Sequence, residues 1–194
     1  MLKLNSKQLR AVDVDTVSSE AQSIIRNPLV FILENIYDTY NIGGLFRLAD
    51  ALAASKVYLC GDTATPPNHR IHKASCGTYK VVPWEYCTTA KEALEKHKSN
   101  DLSSTHNLKP YNLTNLEPCI IAIEQSPTSI PYTALKPSFP LALVVGNETT
   151  GVTPETLALC DKTVEIPMWG INKSLNVIAS AAIVSYHLIS QRET

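Results

Sequence analysis

The sequence predicts an α/β domain in which helices cover both faces of a parallel sheet. Three observations lead to this fold class. Short apolar runs recur along the chain, segments with helical patterns lie between them, and several runs are apolar at nearly every position. Continuous apolarity is typical of strands buried on both faces, as in a parallel sheet. Alternation of strands and helices then places helices on both sides of that sheet.

The apolar runs predict a sheet of about six strands. The runs LVFILE, CIIAI and LALVV have the near-continuous apolarity expected of the buried strands. The other runs are shorter or more mixed in composition. In chain order, the predicted strands are 29–34, 56–60, 79–82, 119–123, 141–145 and 163–166.

Four segments between these runs predict helices. Residues 41–54 are rich in Ala and Leu, and residues 88–98 have an amphipathic pattern that starts with Thr. Residues 154–160 open with a proline after Thr153, which suits an N-cap followed by the first helical position. Residues 174–190 are apolar and rich in small residues. Asn41 is the expected N-cap of the first of these helices, and Ser174 is either a plain N-cap of the last one or a residue of a site.

The length of 194 residues predicts one domain with an appended arm. Residues 1–28 are predicted to be an N-terminal helical arm ending near Asn27 and Pro28, and residues 29–194 to be the main domain. No apolar run approaches the roughly 20 residues that span a bilayer, and the first residues lack the apolar stretch of a secretory signal. The sequence therefore predicts a cytoplasmic protein without a membrane partner.

The five cysteines show no C-x-x-C pairing and no zinc-finger spacing with a histidine. The nearest approach to a metal cluster is His69 with His72, which has no carboxylate or thiol beside it. We therefore expect reduced thiols and no metal site.

Charge is almost balanced, with 17 Lys and Arg against 18 Asp and Glu, which excludes a strongly basic nucleic-acid binder. Two local basic patches remain. No acidic residue occurs between Asp62 and Glu85, and a second basic stretch precedes Asp13. Each patch is either a nucleic-acid contact or an ordinary solvated surface. The candidate RNA-binding residues are Lys3, Lys7, Arg10, Arg70, Lys73 and Lys80.

Five of the seven glycines lie in three short segments that border predicted strands. Strand ends are where α/β folds bind ligands. Asn41, Gly43, Gly44 and Arg47 mark the first segment, which is either a plain helix start or a phosphate site. The second segment is G-N-E-T-T-G at 146–151, in which a carboxylate at the end of a buried strand needs a partner. The third contains Asn176, a poor helix former within a predicted first turn.

The familiar ligand loops are missing from the sequence. It contains no G-x-G-x-x-G after a strand, no phosphate-binding P-loop and no G-x-S-x-G elbow. An ordinary dinucleotide site, a P-loop nucleotide site and a serine hydrolase are therefore not expected.

Together the three segments resemble the motifs of the SpoU (TrmH-like) family of the SPOUT superfamily of RNA methyltransferases. The first is similar to N-x-G-x-x-x-R, carried by Asn41, Gly43 and Arg47. The second resembles G-N-E-x-x-G at 146–151, and the third I-P-M-x-G-x-x-x-S-L-N-V at 166–177. Their order and spacing agree with the family over about residues 29–190.

The resemblance implies a 2′-O-ribose methyltransferase that uses S-adenosylmethionine (SAM). It also implies a C-terminal trefoil knot, a homodimer and a SAM pocket built from the second and third motifs. The residues implied to bind the cofactor are Ile123, Glu124, Gly146, Asn147, Ile166, Met168, Ser174 and Leu175. The residues implied to act in catalysis are Asn41, Arg47, Glu148, Ser174 and Asn176.

The role of Arg47 stays open between holding a phosphate and accepting a proton. A guanidinium keeps its proton to above pH 12, which favours the phosphate role. The expected substrate is tRNA, with rRNA as the second possibility. Two alternatives are a catalytically silent RNA-binding relative and an α/β enzyme acting on a free nucleotide. The apolar last helix predicts a surface that meets a second copy of the chain.

Overall fold

A computed structural model describes residues 3–12, 23–99, 117–136 and 138–191 of the chain. Its described part contains seven strands in one sheet, in the order β3-β2-β1-β6-β4-β7-β5. Every pair of neighbouring strands is parallel. The strands are β1 (Asn27–Glu34), β2 (Ala54–Cys60), β3 (Trp84–Cys87), β4 (Cys119–Ile123), β5 (Ile130–Pro131), β6 (Leu141–Val145) and β7 (Lys162–Glu165).

Six α-helices connect or flank these strands in the described residues. Two short 3₁₀ turns, Thr78–Lys80 and Tyr132–Ala134, complete the regular structure. The helices are α1 (Ser6–Ala11), α2 (Thr39–Ala51), α3 (His69–Ser75), α4 (Ala90–Lys98), α5 (Pro154–Leu157) and α6 (Val177–Ser190).

Helices cover both faces of the sheet, as the sequence predicts. On one face, Leu45 and Phe46 of α2 and Val184 of α6 belong to a single apolar core with the strands. On the other face, Ala93 and Leu94 of α4 form a second core. The α/β class and the parallel sheet are therefore confirmed, whereas the trefoil knot stays a prediction of the resemblance.

The predicted strand at 79–82 is wrong. Those residues form the 3₁₀ turn at Thr78–Lys80 and the segment after it, and the strand that pairs with β2 is β3. Tyr79 and Val81 are apolar because they pack on the core from this turn. The sequence of β3, WEYC, hides the strand because β3 lies at the sheet edge and is only partly buried.

The predicted helical arm at 1–28 is helical only over α1 in the described residues. The chain becomes extended at Val12, and β1 already begins at Asn27. Residues 13–22 of the arm lie outside the described residues. The division into an arm and a main domain at residue 28 therefore stays a prediction.

The two glycines of the first motif allow α2 to approach its neighbours closely. A Cβ atom at Gly43 would collide with the side chain of Ala74 in α3, and one at Gly44 with Ile178 in α6. The structure uses both glycines for helix packing, because a residue without Cβ permits such contact. A phosphate site in this segment stays a prediction.

None of the helices in the described residues is long and apolar enough to cross a membrane.

Candidate active site

A cavity of about 480 Å³ lies at the carboxyl ends of β4, β6 and β7. This volume is within the usual range of small-molecule sites. Eight of its lining residues are the predicted cofactor-binding residues: Ile123, Glu124, Gly146, Asn147, Ile166, Met168, Ser174 and Leu175. The cavity is also lined by three of the predicted catalytic residues, Glu148, Ser174 and Asn176, but not by Asn41 or Arg47.

The turn after β6 forms one wall of the cavity. A Cβ atom at Gly146 would collide with the backbone of Gly151, so the two sides of the turn touch. Asn147 holds the turn internally, because its Oδ1 accepts hydrogen bonds from the N–H groups of Thr149 (2.8 Å) and Thr150 (3.0 Å). Its Nδ2 donates to the Asn35 carbonyl at 2.8 Å. The Asn147 side chain therefore shapes the wall.

Two carboxylates fix the far side of this turn. Oε2 of Glu124, just after β4, accepts a hydrogen bond from the Val152 N–H at 2.9 Å. Glu34, at the end of β1 and only 5% exposed, accepts hydrogen bonds from the N–H and the hydroxyl of Thr153, both at 2.9 Å. Hydrogen bonds from two backbone N–H groups to carboxylates thus connect the cavity wall to the ends of β4 and β1, and bonds to a charged acceptor are strong.

A hydrogen-bonded chain of side chains, which we call the Asn41 network, joins α2 to the cavity rim. Asn41 donates from Nδ2 to Oε1 of Glu148 at 2.9 Å, and its Oδ1 accepts from Nδ2 of Asn176 at 3.0 Å. Glu148 also accepts hydrogen bonds from the N–H groups of Tyr37 (3.3 Å) and Asp38 (3.2 Å). The partner that the sequence argument required for Glu148 is therefore present.

Glu148 remains ionised in this setting. Partial burial of its carboxyl raises the pKa, but the hydrogen bonds from Asn41 and from the backbone of Tyr37 and Asp38 outweigh it, so the pKa is lowered. An ionised carboxylate can only accept hydrogen bonds. It therefore fixes the Asn41 amide with nitrogen towards Glu148 and oxygen towards Asn176.

The predicted N-cap Asn41 is wrong, as is the alternative of Ser174 as an N-cap, and the observed caps explain the network. Asp38 caps α2 by accepting a hydrogen bond from the Tyr40 N–H at 2.8 Å, so Asn41 lies inside the helix and is only 5% exposed. Asn176, not Ser174, caps α6, with its Oδ1 accepting from the Ile178 N–H at 2.9 Å. Asn176 thus starts the helix and contacts Asn41 with the same side chain.

Arg47 lies away from the cavity. It is exposed on α2, six residues beyond Asn41, which corresponds to about 9 Å along a helix axis. In the part of the chain that the structure describes, its guanidinium makes no hydrogen bond or ion pair. Its positive charge acts on the nearby thiol of Cys76. Burial raises the pKa of this thiol, but Ser6, Arg47 and Arg10 together outweigh burial and lower it.

The two basic patches of the sequence meet in one surface, which we call the basic surface. Arg10 of α1 donates from Nη2 to the Lys73 carbonyl and to Sγ of Cys76, both at 3.2 Å. Lys80 donates from Nζ to the carbonyls of Arg10 (3.1 Å) and Val12 (2.9 Å). Arg10 and Lys80 therefore hold the arm in place. Lys3, Lys7, Arg10, Arg70 and Lys73 are exposed to solvent, and Lys80 is half-buried.

Sequence reasoning missed several lining residues, notably Gln125, Glu165 and Lys173. Gln125 is the second residue after β4, so a rule that extends each strand end by two residues would have found it, whereas Glu165 is the last residue of β7 itself. In the described residues no cluster of three potential metal ligands occurs.

Comparison with known proteins decides the family. Residues 28–186 match the model of the SpoU rRNA Methylase family, and this range includes all three motifs. The chain belongs to the SpoU rRNA methylase family. The family consists of SAM-dependent RNA 2′-O-ribose methyltransferases.

Two curated SpoU relatives share modest identity with the chain. The 23S rRNA (guanosine-2′-O-)-methyltransferase RlmB of Haemophilus influenzae is 29% identical over 187 residues, covering 96% of this chain and 68% of that protein. The enzyme of the same name from Neisseria meningitidis is 31% identical over 171 residues, covering 88% and 62%. The chain thus spans about two thirds of the length of these relatives.

Solved SpoU structures share the fold. The AviRb methyltransferase of Streptomyces viridochromogenes in complex with AdoMet superposes with a TM-score of 0.74 at 23% identity, over 93% of this chain and 65% of that one. The TrmH/SpoU tRNA modifying enzyme of A. aeolicus gives a TM-score of 0.72 at 24% identity, over 93% and 84%.

Proposed function

We propose that this protein transfers the methyl group of SAM to a ribose 2′-oxygen of RNA. The observation that carries the proposal is the Asn41 network. It joins the first turn of α2 to a cavity that is lined by residues of the second and third SpoU motifs. The cavity combines apolar side chains with many convergent polar groups, and such polar groups fix the orientation of a bound small molecule.

The lining of the cavity fits SAM. Ile123, Val145 and Leu175 offer apolar surface for an adenine ring, and Glu124 and Glu148 offer negative charge for a sulfonium and an ammonium group. SAM, when bound, supplies an already activated methyl group. The protein must therefore mainly align the 2′-oxygen and help its proton to leave, and alignment alone can contribute roughly 7–11 kcal/mol in well-oriented systems.

The proposed catalytic residues divide into two groups. Asn41, Glu148, Ser174 and Asn176 lie at or beside the cavity rim and would orient the ribose and the methionine end of SAM. Arg47 would hold the phosphate next to the target ribose, because a guanidinium binds phosphate through two parallel hydrogen bonds. The exposed cations of the basic surface would contact neighbouring phosphates.

A homodimer is part of the proposal, because Arg47 does not line the cavity of its own chain. Apolar side chains beside the cavity and on α6 lie exposed, namely Trp169 (94%), Ile171 (103%), Ile183 (38%) and Tyr186 (52%). Burying them against a two-fold partner would bring Arg47 of one copy towards the cavity of the other. Ile183 is exposed on α6, so Ile183→Glu tests the dimer. Light scattering should then show monomers.

Two classes of RNA are candidates. tRNA is the substrate expected from the sequence, in a cytoplasmic setting. The curated relatives named above act on 23S rRNA, which makes rRNA the second candidate. We propose tRNA first, and the experiment is designed to separate the two.

Mass spectrometry of nucleosides tests the proposal directly. Purified protein is incubated with SAM and with either total tRNA or ribosomal RNA from cells that lack the gene. One new 2′-O-methylated nucleoside in tRNA supports the proposal, and one in rRNA alone replaces the substrate class. If calorimetry shows SAM binding without methylation of either RNA, the protein is a silent relative. If SAM does not bind, the assignment of the cavity is wrong.

A further inference from the structure

Residues 166–176 cross the mouth of the cavity between β7 and α6, and we call this segment the strap. Its last seven residues line the cavity or are exposed to solvent, and Trp169 and Ile171 make almost no contact with the rest of the chain. At its end, Asn176 is fixed by Asn41 and by the start of α6.

One hydrogen bond ties the middle of the strap to the opposite wall. Gln125, two residues after β4, donates from Nε2 to the carbonyl of Lys173 at 2.5 Å. Among the described residues, no other hydrogen bond joins residues 167–175 to a different segment; the Ser174 N–H bonds only to Asn172 within the strap. Gln125 and Lys173 both line the cavity, so this bond spans its mouth.

The chemistry of the bond leaves little freedom. A backbone carbonyl only accepts hydrogen bonds, so the amide nitrogen of Gln125 must face Lys173. The position of Gln125 is set in turn by its own N–H, which donates to Oε1 of Glu124 at 2.8 Å. Since Glu124 also holds the Val152 N–H, the bond connects the strap to the wall built by the second motif.

We infer that Gln125 is a positioning residue that holds the strap closed over bound SAM and slows its release. The inference rests on the proposal that SAM occupies this cavity. Without the bond, residues 167–175 keep no hydrogen-bonded anchor among the described residues of their own chain, so the mouth opens more often, even where Trp169 and Ile171 pack on the proposed second copy. A single hydrogen bond at an exposed position corresponds to about a threefold to tenfold change in a rate or population.

The decisive variant is Gln125→Glu, which keeps the size of the side chain but cannot donate to a carbonyl. Gln125→Ala removes the side chain altogether. Thr128→Ala, in the same exposed loop and outside the cavity lining, is the matched control. Release is measured by loading each protein with radiolabelled SAM, adding excess unlabelled SAM and filtering rapidly at intervals.

Both Gln125 variants should release SAM about threefold to tenfold faster than the wild type, at unchanged melting temperature, whereas Thr128→Ala should match the wild type. Equal release rates for all four proteins would overturn the inference while leaving the SAM site in place. Failure of the wild type to bind SAM would instead overturn the proposed function.

A second measurement needs no SAM. Trypsin cleaves after lysine, and the carbonyl that Gln125 holds belongs to the peptide bond after Lys173. Cleavage there should be about threefold to tenfold faster in Gln125→Glu than in the wild type, while cleavage after the exposed Lys98 at the end of α4 stays the same. An unchanged rate of cleavage after Lys173 would contradict the inference, independently of any result with SAM.

Discussion

Two buried polar groups at opposite ends of the sheet are treated differently by the fold. At the carboxyl end, Asn41 is 5% exposed, and both ends of its amide are hydrogen-bonded to Glu148 and Asn176. At the amino end, His97 of α4 is 1% exposed, and neither ring nitrogen has a hydrogen-bond partner among the described residues. The backbone of Cys119 and Pro140, at the starts of β4 and β6, lies nearby.

The difference appears in the charges. Glu148 in the Asn41 network stays ionised, because hydrogen bonds outweigh the burial of its carboxyl. His97 is held neutral, because burial lowers its pKa to about 4 and the nearby backbone opposes this only in part. The first arrangement keeps a negative charge at the rim of the cavity, which suits the catalytic role that we propose for Glu148. The second only makes stability depend on pH.

The largest effect on methyl transfer should come from Asn41→Asp, which replaces one amide nitrogen of the Asn41 network by a carboxylate oxygen. In Asn41→Asp a second carboxylate faces Glu148, and two such groups at hydrogen-bond distance cannot both stay ionised. We expect methyl transfer at saturating RNA to fall by about 100-fold or more. Single-turnover assays with radiolabelled SAM measure the loss.

The double variant Asn41→Asp with Glu148→Gln serves as the control for that prediction. It swaps amide and carboxylate and so restores the hydrogen bond between the two positions, although the Asp38 N–H loses the oxygen that accepts it. Partial recovery of the rate would show that the network acts as a unit. If the fold-loss in rate of the double variant equals the product of the fold-losses of the two single variants, the two residues act independently and the network does not act as a unit.

Arg47 should matter for RNA and for nothing else. Because its side chain has no hydrogen bond or ion pair in the described part of the chain, Arg47→Ala should leave SAM affinity and melting temperature unchanged. We expect kcat/KM for RNA to fall by about tenfold to 100-fold through loss of a phosphate contact. Lys91→Ala, on the exposed side of α4, is the matched control.

The pH dependence of Arg47→Lys separates the two roles left open for this residue. If Arg47 holds a phosphate, the variant should be slower but keep the pH profile of the wild type. A profile displaced towards lower pH would instead identify residue 47 as the proton acceptor.

His97 should make the folded state sensitive to acid. Its folded pKa of about 4 lies below the unfolded value of 6.5, so its contribution to stability is complete above pH 6.5 and is lost as the pH falls towards 4. With about 1.4 kcal/mol for each pKa unit, the loss amounts to about 3 kcal/mol. Urea unfolding between pH 4 and 7 measures it.

Two variants test this assignment. His97→Leu should flatten the pH dependence of the unfolding free energy, whereas replacing the exposed His69 by Gln should leave it as in the wild type. If His97→Leu and the wild type lose stability in parallel, the acid sensitivity has another source.

The smallest predicted effect concerns the basic surface. Lys7→Gln and Arg70→Gln should each weaken RNA binding and lower the slope of log affinity against log salt by about one. SAM affinity should not change, and Lys91→Gln should leave the salt slope unaltered. A constant slope in both variants would make the basic surface an ordinary solvated one.

The fold was largely predictable because its strands are buried on both faces and leave a continuous apolar signature. The strand at 141–145 was predicted with its observed bounds for this reason. The edge strand β3 was missed, because a partly exposed edge needs no such signature. Most of the predicted cavity lining came from the motifs, while the contact between Gln125 and Lys173 became visible only in the tertiary structure, where their segments meet.

The sequence by itself determined the fold class, the family and the residue types of the site, because burial pattern and motif spacing are properties of the chain. It did not determine which side chain caps a helix and which joins a network. Asn41, Asp38, Ser174 and Asn176 are all acceptable caps by residue type. Only tertiary structure decided among them, because the choice depends on Glu148, which lies 107 residues from Asn41 along the chain and 2.9 Å from it in space.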